Sequence, residues 1–130
     1  MEPGDTVWIE PTAIGAHLWI VLSNPFEHEE LGRSVLAASV TTLRGSPRED
    51  RSCLLSAADH PDLTHDSWVC YDYARYWGLS YLAKWCSPAA PLSMAVLRRV
   101  LDGAQATDRI KLEYAELLDE QGLFDPPEDE

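Results

Sequence analysis

The strongest constraint on this chain is a series of short apolar runs, each closed by turn chemistry, that fills the first 71 residues. Asp5–Glu10 (DTVWIE) follows Pro3-Gly4 and alternates as a half-buried strand does, and Pro11 closes it. His17–Ser23 (HLWIVLS) is denser, the pattern of a strand covered on both faces, and Asn24-Pro25 ends it. Ser34–Thr42 reads as a third strand, Ser52–Leu55 as a short fourth and Ser67–Tyr71 (SWVCY) as a fifth. The charged Glu27–Arg33, the polar Gly45–Arg51 and the turn-rich Ala57–Asp66 connect them. Strands this close together, with no long helix among them, argue against an alternating α/β sheet and predict an antiparallel barrel or sandwich.

The period then changes. Leu79, Leu82, Ala83 and Cys86 have helix-compatible spacing, but Trp77-Gly78 and Ser87-Pro88 bound a short piece. Leu92, Val96, Leu97, Val100 and Leu101 form a 3.6-residue stripe, with Pro91 in the first turn and Gly103 as the stop. Ile110, Tyr114, Leu117 and Leu118 form another, with Thr107 as the expected N-cap and Gly122 at the end. The expected fold class is mainly β with C-terminal helices. A chain of 130 residues, 45% apolar, holds one core and not two. We divide it into a barrel domain with its C-terminal helix, residues 1–112, and a helix end with an acidic tail, residues 113–130.

Composition narrows the setting. No apolar run reaches the roughly 20 residues of a membrane span, and the N-terminus lacks the basic and apolar regions of a signal peptide. Cys53, Cys70 and Cys86 are odd in number and widely spaced, so they read as buried free thiols of a reducing compartment. The expectation is a soluble cytoplasmic protein without a membrane partner. The net charge is −12, yet residues 113–130 carry eight acids and no base, while residues 1–112 carry 14 acids and all ten bases. The acidity is largely a property of the tail, so it counts only partly against a nucleic-acid partner. The tail itself has little to bury beyond Leu123 and Phe124, and deleting residues 123–130 is expected to leave the fold intact.

The sequence has no P-loop, GxGxxG, HExxH or GxSxG, so phosphate cradling, dinucleotide binding and hydrolase-elbow chemistry lack support. Asp59, His60, His65 and Asp66 cluster in one loop, but their spacing fits no standard zinc pattern and suits turn chemistry. We therefore expect no metal and no cofactor. The remaining polar candidates stand at strand ends: His17 opens the second strand, Thr41 and Thr42 end the third, and Asp72 and Arg75 follow the fifth. On one rim they would supply an imidazole, hydroxyls, a carboxylate and a fixed cation. That inventory suffices for metal-free RNA cleavage, in which one group takes the 2′-hydroxyl proton and another protonates the leaving oxygen. Each also has a plain structural role: threonine suits a strand, Asp72 can cap a turn and Arg75 can pair with a surface acid.

In this order the segments resemble the PemK/MazF-like family, the toxin partners of type II toxin–antitoxin pairs. Gly4-Asp5-Thr6-Val7-Trp8-Ile9 is similar to that family's opening strand, and Pro11-Thr12 to the start of its first loop. Gly15–Pro25 resembles its second strand, Val35–Thr42 its third, Ser67–Arg75 its fifth with the following turn, and Leu92–Leu101 its C-terminal helix. The resemblance spans about residues 4–104. It implies a small SH3-like antiparallel β-barrel, a homodimer, an antitoxin-like protein partner and metal-independent endoribonuclease activity on single-stranded RNA. Five tryptophans and five tyrosines, more than a small core readily hides, add to the expectation of a homodimer. Of the site, Thr41 or Thr42 matches the family's hydroxyl and Asp72 its strand-five carboxylate. His17 stands where the family has an arginine, Leu18 where it has a proline and Cys70 where it has the strand-five arginine. Arg75 is then the substitute cation and His17 the acid or base. The alternative is a non-catalytic module of the same fold that binds a protein, or an accessory protein whose barrel only supports assembly.

Overall fold

In a computed structural model of the chain, residues 1–12 and 15–126 are described. The tip of the first loop and the last four residues of the acidic tail lie outside them. The chain is mainly β: a curled antiparallel sheet of seven strands with three helices among the described residues. The strands are β1 (Thr6–Thr12), β2 (Gly15–Val21), β3 (Phe26–His28), β4 (Gly32–Thr42), β5 (Leu54–Leu55), β6 (Ser67–Gly78) and β7 (Cys86–Ala89). The helices are α1 (Leu79–Trp85), α2 (Met94–Ala106) and α3 (Leu112–Glu120). The sheet runs β5-β6-β4-β2-β1-β7, and β3 pairs with the start of β4. No described helix is long and apolar enough to cross a membrane.

Period-two alternation divides the sheet's side chains between two cores. Leu18, Ile20 and Leu22, with Leu36, Ala38 and Val40, face α2 and α3, where Val96, Leu97, Val100, Leu101, Tyr114 and Leu118 close over them. Trp19 and Val21, with Val35 and Ala37, face the other way and form a smaller core with Val7, Ile9, Trp77 and Leu82 of α1. The dense run of β2 is buried on both faces because both cores need it.

Several boundaries differ from expectation, each for a local reason. The stretch expected as a loop after β2 contains β3 and the first turns of β4, where Gly32 takes a positive φ of 73°. β6 extends to Gly78, seven residues past Tyr71, so Asp72 and Arg75 lie within the strand instead of after it. Ser87-Pro88 does not break the chain but belongs to β7, an edge strand, where a missing N–H is tolerated. Ser93, not Pro91, sets the start of α2: its hydroxyl accepts from Val96 N–H at 3.2 Å. Gly103 lies inside α2, which continues to Ala106. Thr107 does not cap α3: it closes the end of α2, its hydroxyl donating to the Asp50 carboxylate at 2.6 Å and accepting from Arg109 N–H at 3.1 Å, while α3 starts only at Leu112 with Lys111 as the N-cap.

The tail docks further than its composition suggests. Leu123 and Phe124 pack against the larger core. Arg98 holds the Leu123 carbonyl at 3.0 Å, and Gln105 exchanges two hydrogen bonds with the Asp125 backbone. These contacts weigh against the expectation that residues 123–130 are dispensable. Truncation after Gly122 exposes that core edge and should lower Tm by several degrees in a thermal melt, at roughly 3–5 °C per kcal/mol for a chain of this size.

A second prediction concerns the approach of α2 to the sheet. A Cβ on Gly103 would collide with the Tyr71 hydroxyl and lie 2.8 Å from Cys53 Cβ and 3.0 Å from the Ser52 carbonyl. The Tyr71 hydroxyl is not free to move, since it donates to the Val100 carbonyl at 2.6 Å. Alanine would add about 1 kcal/mol of helix propensity, against roughly 1–3 kcal/mol for overpacking and a further 1–3 if the buried hydrogen bond breaks. Gly103→Ala should therefore destabilise, read as a lower urea midpoint; an unchanged midpoint would show that the helix simply shifts.

Candidate functional site

The smaller core does not cover its whole face of the sheet. Beyond Trp19 and Ala37 the same face continues with His17 on β2 and with Ser39 and Thr41 on β4. There the apolar cover of α1 ends and a cleft begins. One cavity on this face, of about 380 Å³, is lined by His17, Trp19, Ser39, Thr41, Trp68, Cys70, Tyr73 and Arg75. A second, of about 280 Å³, turns over the strand ends, where Trp8, Thr42, Arg44, Asp62 and His65 join His17 and Thr41 in its wall. Both linings include His17 and Thr41, but Leu18 and Val40 of the second belong to the larger core and Trp19 of the first to the smaller, so β2 and β4 run between an aromatic arm, the first cavity, and a polar arm, the second.

Four of the five residues singled out in the sequence line these cavities: His17 and Thr41 both of them, Thr42 the polar arm and Arg75 the aromatic arm. Asp72 is the exception. It is exposed and lines neither cavity, because β6 bulges where it faces β4. Ser39 pairs with Cys70 and Ala37 with Arg75, so residues 71–74 stand opposite Ala38 alone. The bulge throws Asp72 outward, and a carboxylate role for it is not supported by this geometry. Sequence reasoning did not place Arg44, Asp62 or His65 in the cleft. Arg44 follows Thr42 by two residues, and His65 had drawn notice only as part of a metal cluster.

That cluster is dispersed. Asp59 accepts from Ser56 N–H at 2.8 Å and from Arg99 at 2.9 Å; His60 is buried; His65 and Asp66 are exposed. No group of three or more His, Cys, Asp or Glu side chains among the described residues is placed to hold a metal ion. The loop instead fastens the polar arm's wall to β1 at two points. His60 Nδ1 accepts from Asp62 N–H at 3.0 Å, which leaves the hydrogen on Nε2. Nε2 then donates to the Ala90 carbonyl at 2.8 Å, beside the Thr6 hydroxyl at 3.0 Å. One turn on, the Trp8 indole N–H donates to Asp62 at 2.8 Å. Arg44 is positioned by its own loop: buried Glu49 accepts from the backbone N–H groups of Arg44 and Gly45 at 2.7 and 2.9 Å.

Arg33, Arg98 and Arg99 are paired with acids, whereas Arg44 and Arg75, like Arg48, Arg51 and Arg109, take part in no ion pair among the described residues. Arg75 is steadied by stacking, its guanidinium 4.3 Å from the Trp77 ring centre. Cys70 donates its S–H to the Thr41 hydroxyl at 3.1 Å, and burial pushes this thiol above its ordinary value of 9.0. A protonated, buried thiol is a poor nucleophile, so Cys70 orients Thr41 and does not attack. Known protein families and curated proteins were compared with the chain, and none matches.

Asp59 and Asp50 tie the loops around the site to the helices. Burial raises each carboxyl, but the opposing influences prevail: Ser56 and Arg99 for Asp59, Ser52, Thr107 and Arg109 for Asp50. Both end below the ordinary 3.8. A carboxylate whose pKa is lower in the folded state adds stability above its unfolded value, and that stability is lost as pH falls through the folded one. Tm should therefore fall as the pH is taken below about 4, and Asp50→Asn should flatten part of the fall while lowering Tm at neutral pH. A melt series from about pH 2 to pH 7 decides; identical acid limbs for variant and wild type would contradict the assignment.

Proposed function

We propose that this protein is a metal-independent endoribonuclease acting on single-stranded RNA, with its curled sheet a PemK/MazF-like, SH3-like barrel. One observation carries the reading: His17 and Thr41 border both cavities, with a second imidazole, His65, and Arg44 in the polar arm and Arg75 in the aromatic arm. RNA supplies its own nucleophile, so the protein need only move protons and stabilise charge. One imidazole, His17 or His65, takes the proton from the ribose 2′-hydroxyl as that oxygen bonds to phosphorus. The bond from phosphorus to the 5′-oxygen breaks, and the other imidazole gives that oxygen a proton. The products are a 2′,3′-cyclic phosphate and a free 5′-hydroxyl. The added negative charge on the phosphoryl oxygens is met by Arg44 or Arg75, and the Thr41 hydroxyl orients the phosphate. Asp72 has no part in this scheme. A toxin of this kind would work in the cytoplasm, as a homodimer held in check by an antitoxin-like protein.

A second reading, a non-catalytic protein-binding module or accessory protein of the same fold, draws on a different observation. Tyr81 and Trp85 of α1 are 42% and 50% exposed and continue an aromatic series from Trp19 through Trp77. Large exposed aromatics are the usual anchors of protein interfaces.

The two readings part on one assay. Purified protein is incubated with mixed single-stranded RNA in the presence of a chelator, and the ends produced are analysed. Wild type should leave cyclic phosphate ends; His17→Ala should cut at least about a hundredfold more slowly, the usual scale for one acid–base group. Because acid and base must hold opposite protonation states, the wild-type rate should be bell-shaped in pH, and His65→Ala should remove one limb. Absence of cutting by wild type across a broad set of sequences would favour the binding module.

A further inference from the structure

Asp72, at the bulge in β6, lines neither cavity, but the bulge also creates a feature that the chemistry above does not use. Tyr71 and Ala74 at its two ends turn into the larger core, where they are 1% and 6% exposed, and the Tyr71 hydroxyl is fixed on Val100. The two residues between them, Asp72 and Tyr73, are exposed. Tyr73 is 67% exposed, yet it borders the aromatic arm of the cleft. Bulges beside functional sites commonly re-aim a side chain in this way.

We propose that the aromatic arm is a nucleobase subsite for single-stranded RNA, with Tyr73 as the stacking platform. This rests on the ribonuclease reading for the phosphate and goes beyond it in assigning the neighbouring base. The arm's volume of about 380 Å³ is within the range of small-ligand sites. Its walls are the rings of Trp19, Trp68 and Tyr73, and its polar edge is Ser39 and Thr41. It opens directly onto His17 and Thr41, where the scissile phosphate would lie, and Arg75 borders it as a cation for the next phosphate along the strand. Aromatic walls beside an arginine, one nucleotide step from a phosphate site, are the parts from which single-strand binding grooves are built. Because every base has a π-face, stacking on Tyr73 tolerates many sequences. An aromatic side chain of a protein partner would use the same walls, but it would have no use for the cations of both arms.

The test uses fluorescence anisotropy with a labelled RNA ten-mer of mixed sequence carrying 2′-O-methyl sugars, which cannot be cleaved, and an abasic ten-mer of equal phosphate count. Tyr73→Ala should weaken binding of the RNA between about five- and a hundredfold, the scale of one base–aromatic stack, and Tyr73→Phe should restore it. Wild type should bind the abasic strand about as weakly as Tyr73→Ala binds the intact one. Equal affinity of wild type and Tyr73→Ala, or failure of phenylalanine to rescue, overturns the subsite. Wild type that leaves the RNA unbound overturns it too and gives the arm to a protein side chain. Cleavage of unmodified RNA, run in parallel, keeps the two claims apart. Cutting by wild type with unchanged binding in Tyr73→Ala spares the enzyme and removes the subsite; stacking-dependent binding without cutting does the reverse. Tyr73 is exposed, so an unchanged Tm is expected for both variants.

Discussion

Everything in this molecule depends on β4 being covered on both faces. From Ser34 to Val40 every residue of the strand is buried, and its side chains alternate between the α2–α3 core and the α1 core. Such a strand tolerates little volume, and Ala37, Ala38 and Ser39 in succession meet that demand at its centre. The alternation also sets where the protein stops packing and begins to present chemistry. On one face Val40 still contributes to the larger core, while on the other Ser39 and Thr41 have no apolar cover and become the floor of a cleft. Core and site are thus successive stretches of the same two strands, and the site inherits the rigidity of the core beneath it.

What could be read in advance follows the range of the interactions involved. Periodicity is local, so the five early strands, the Leu92–Leu101 stripe and the two-sided burial of β2 were visible. The shared face of His17 and Thr41 follows from the same period of two. The bulge was not visible, because nothing in the local period of residues 71–75 announces the register shift by which Ser39 pairs with Cys70 and Ala37 with Arg75. Nor was the contact beside it, in which Tyr71 reaches Val100 across the core where Gly103 lets α2 come close. Thr107 is no cap of α3 because it ends α2 and α3 begins only at Leu112, while its hydroxyl bridges Asp50, 57 residues away, and Arg109 N–H. β7 was missed because Ser87-Pro88 reads as a breaker unless the strand is known to lie at an edge.

The loop between β5 and β6 shows how turn chemistry and site construction combine. Its Asp, His and Pro residues were read as turn formers, and most of them do serve as such: Asp59 holds Ser56 and His60 holds Asp62. The same side chains also reach outward, to Arg99, to Thr6 and Ala90, and, through Asp62, to Trp8. A buried imidazole with both nitrogens engaged is a specific linker, since only one tautomer satisfies all of its neighbours. Leu63, Thr64 and His65 are therefore presented to the cleft by a loop anchored on both sides. An acid–base group at its end needs that support, because a displacement of about 1 Å can cost a hundredfold in rate.

The acidic character of the chain bears on how RNA could be held. In most nucleic-acid-binding proteins affinity comes from many phosphate contacts, each releasing a counterion. Here the cleft offers Arg44 and Arg75, while three of the remaining arginines are already neutralised by Glu27, Asp102 and Asp59. Two cations can release only about two counterions, which corresponds to a shallow salt dependence, with a slope of about −1.4 for a single strand. So little electrostatic attraction, opposed by a net charge of −12, leaves a large share of the affinity to uncharged contacts. Aromatic walls are the group in this cleft able to provide it, at about 1–3 kcal/mol for each stacked base. Such a protein would select strands whose bases are unpaired and free to turn outward, because a duplex presents phosphates but no exposed π-face. A preference for single-stranded RNA would then be a consequence of which forces the cleft lacks as much as of those it contains.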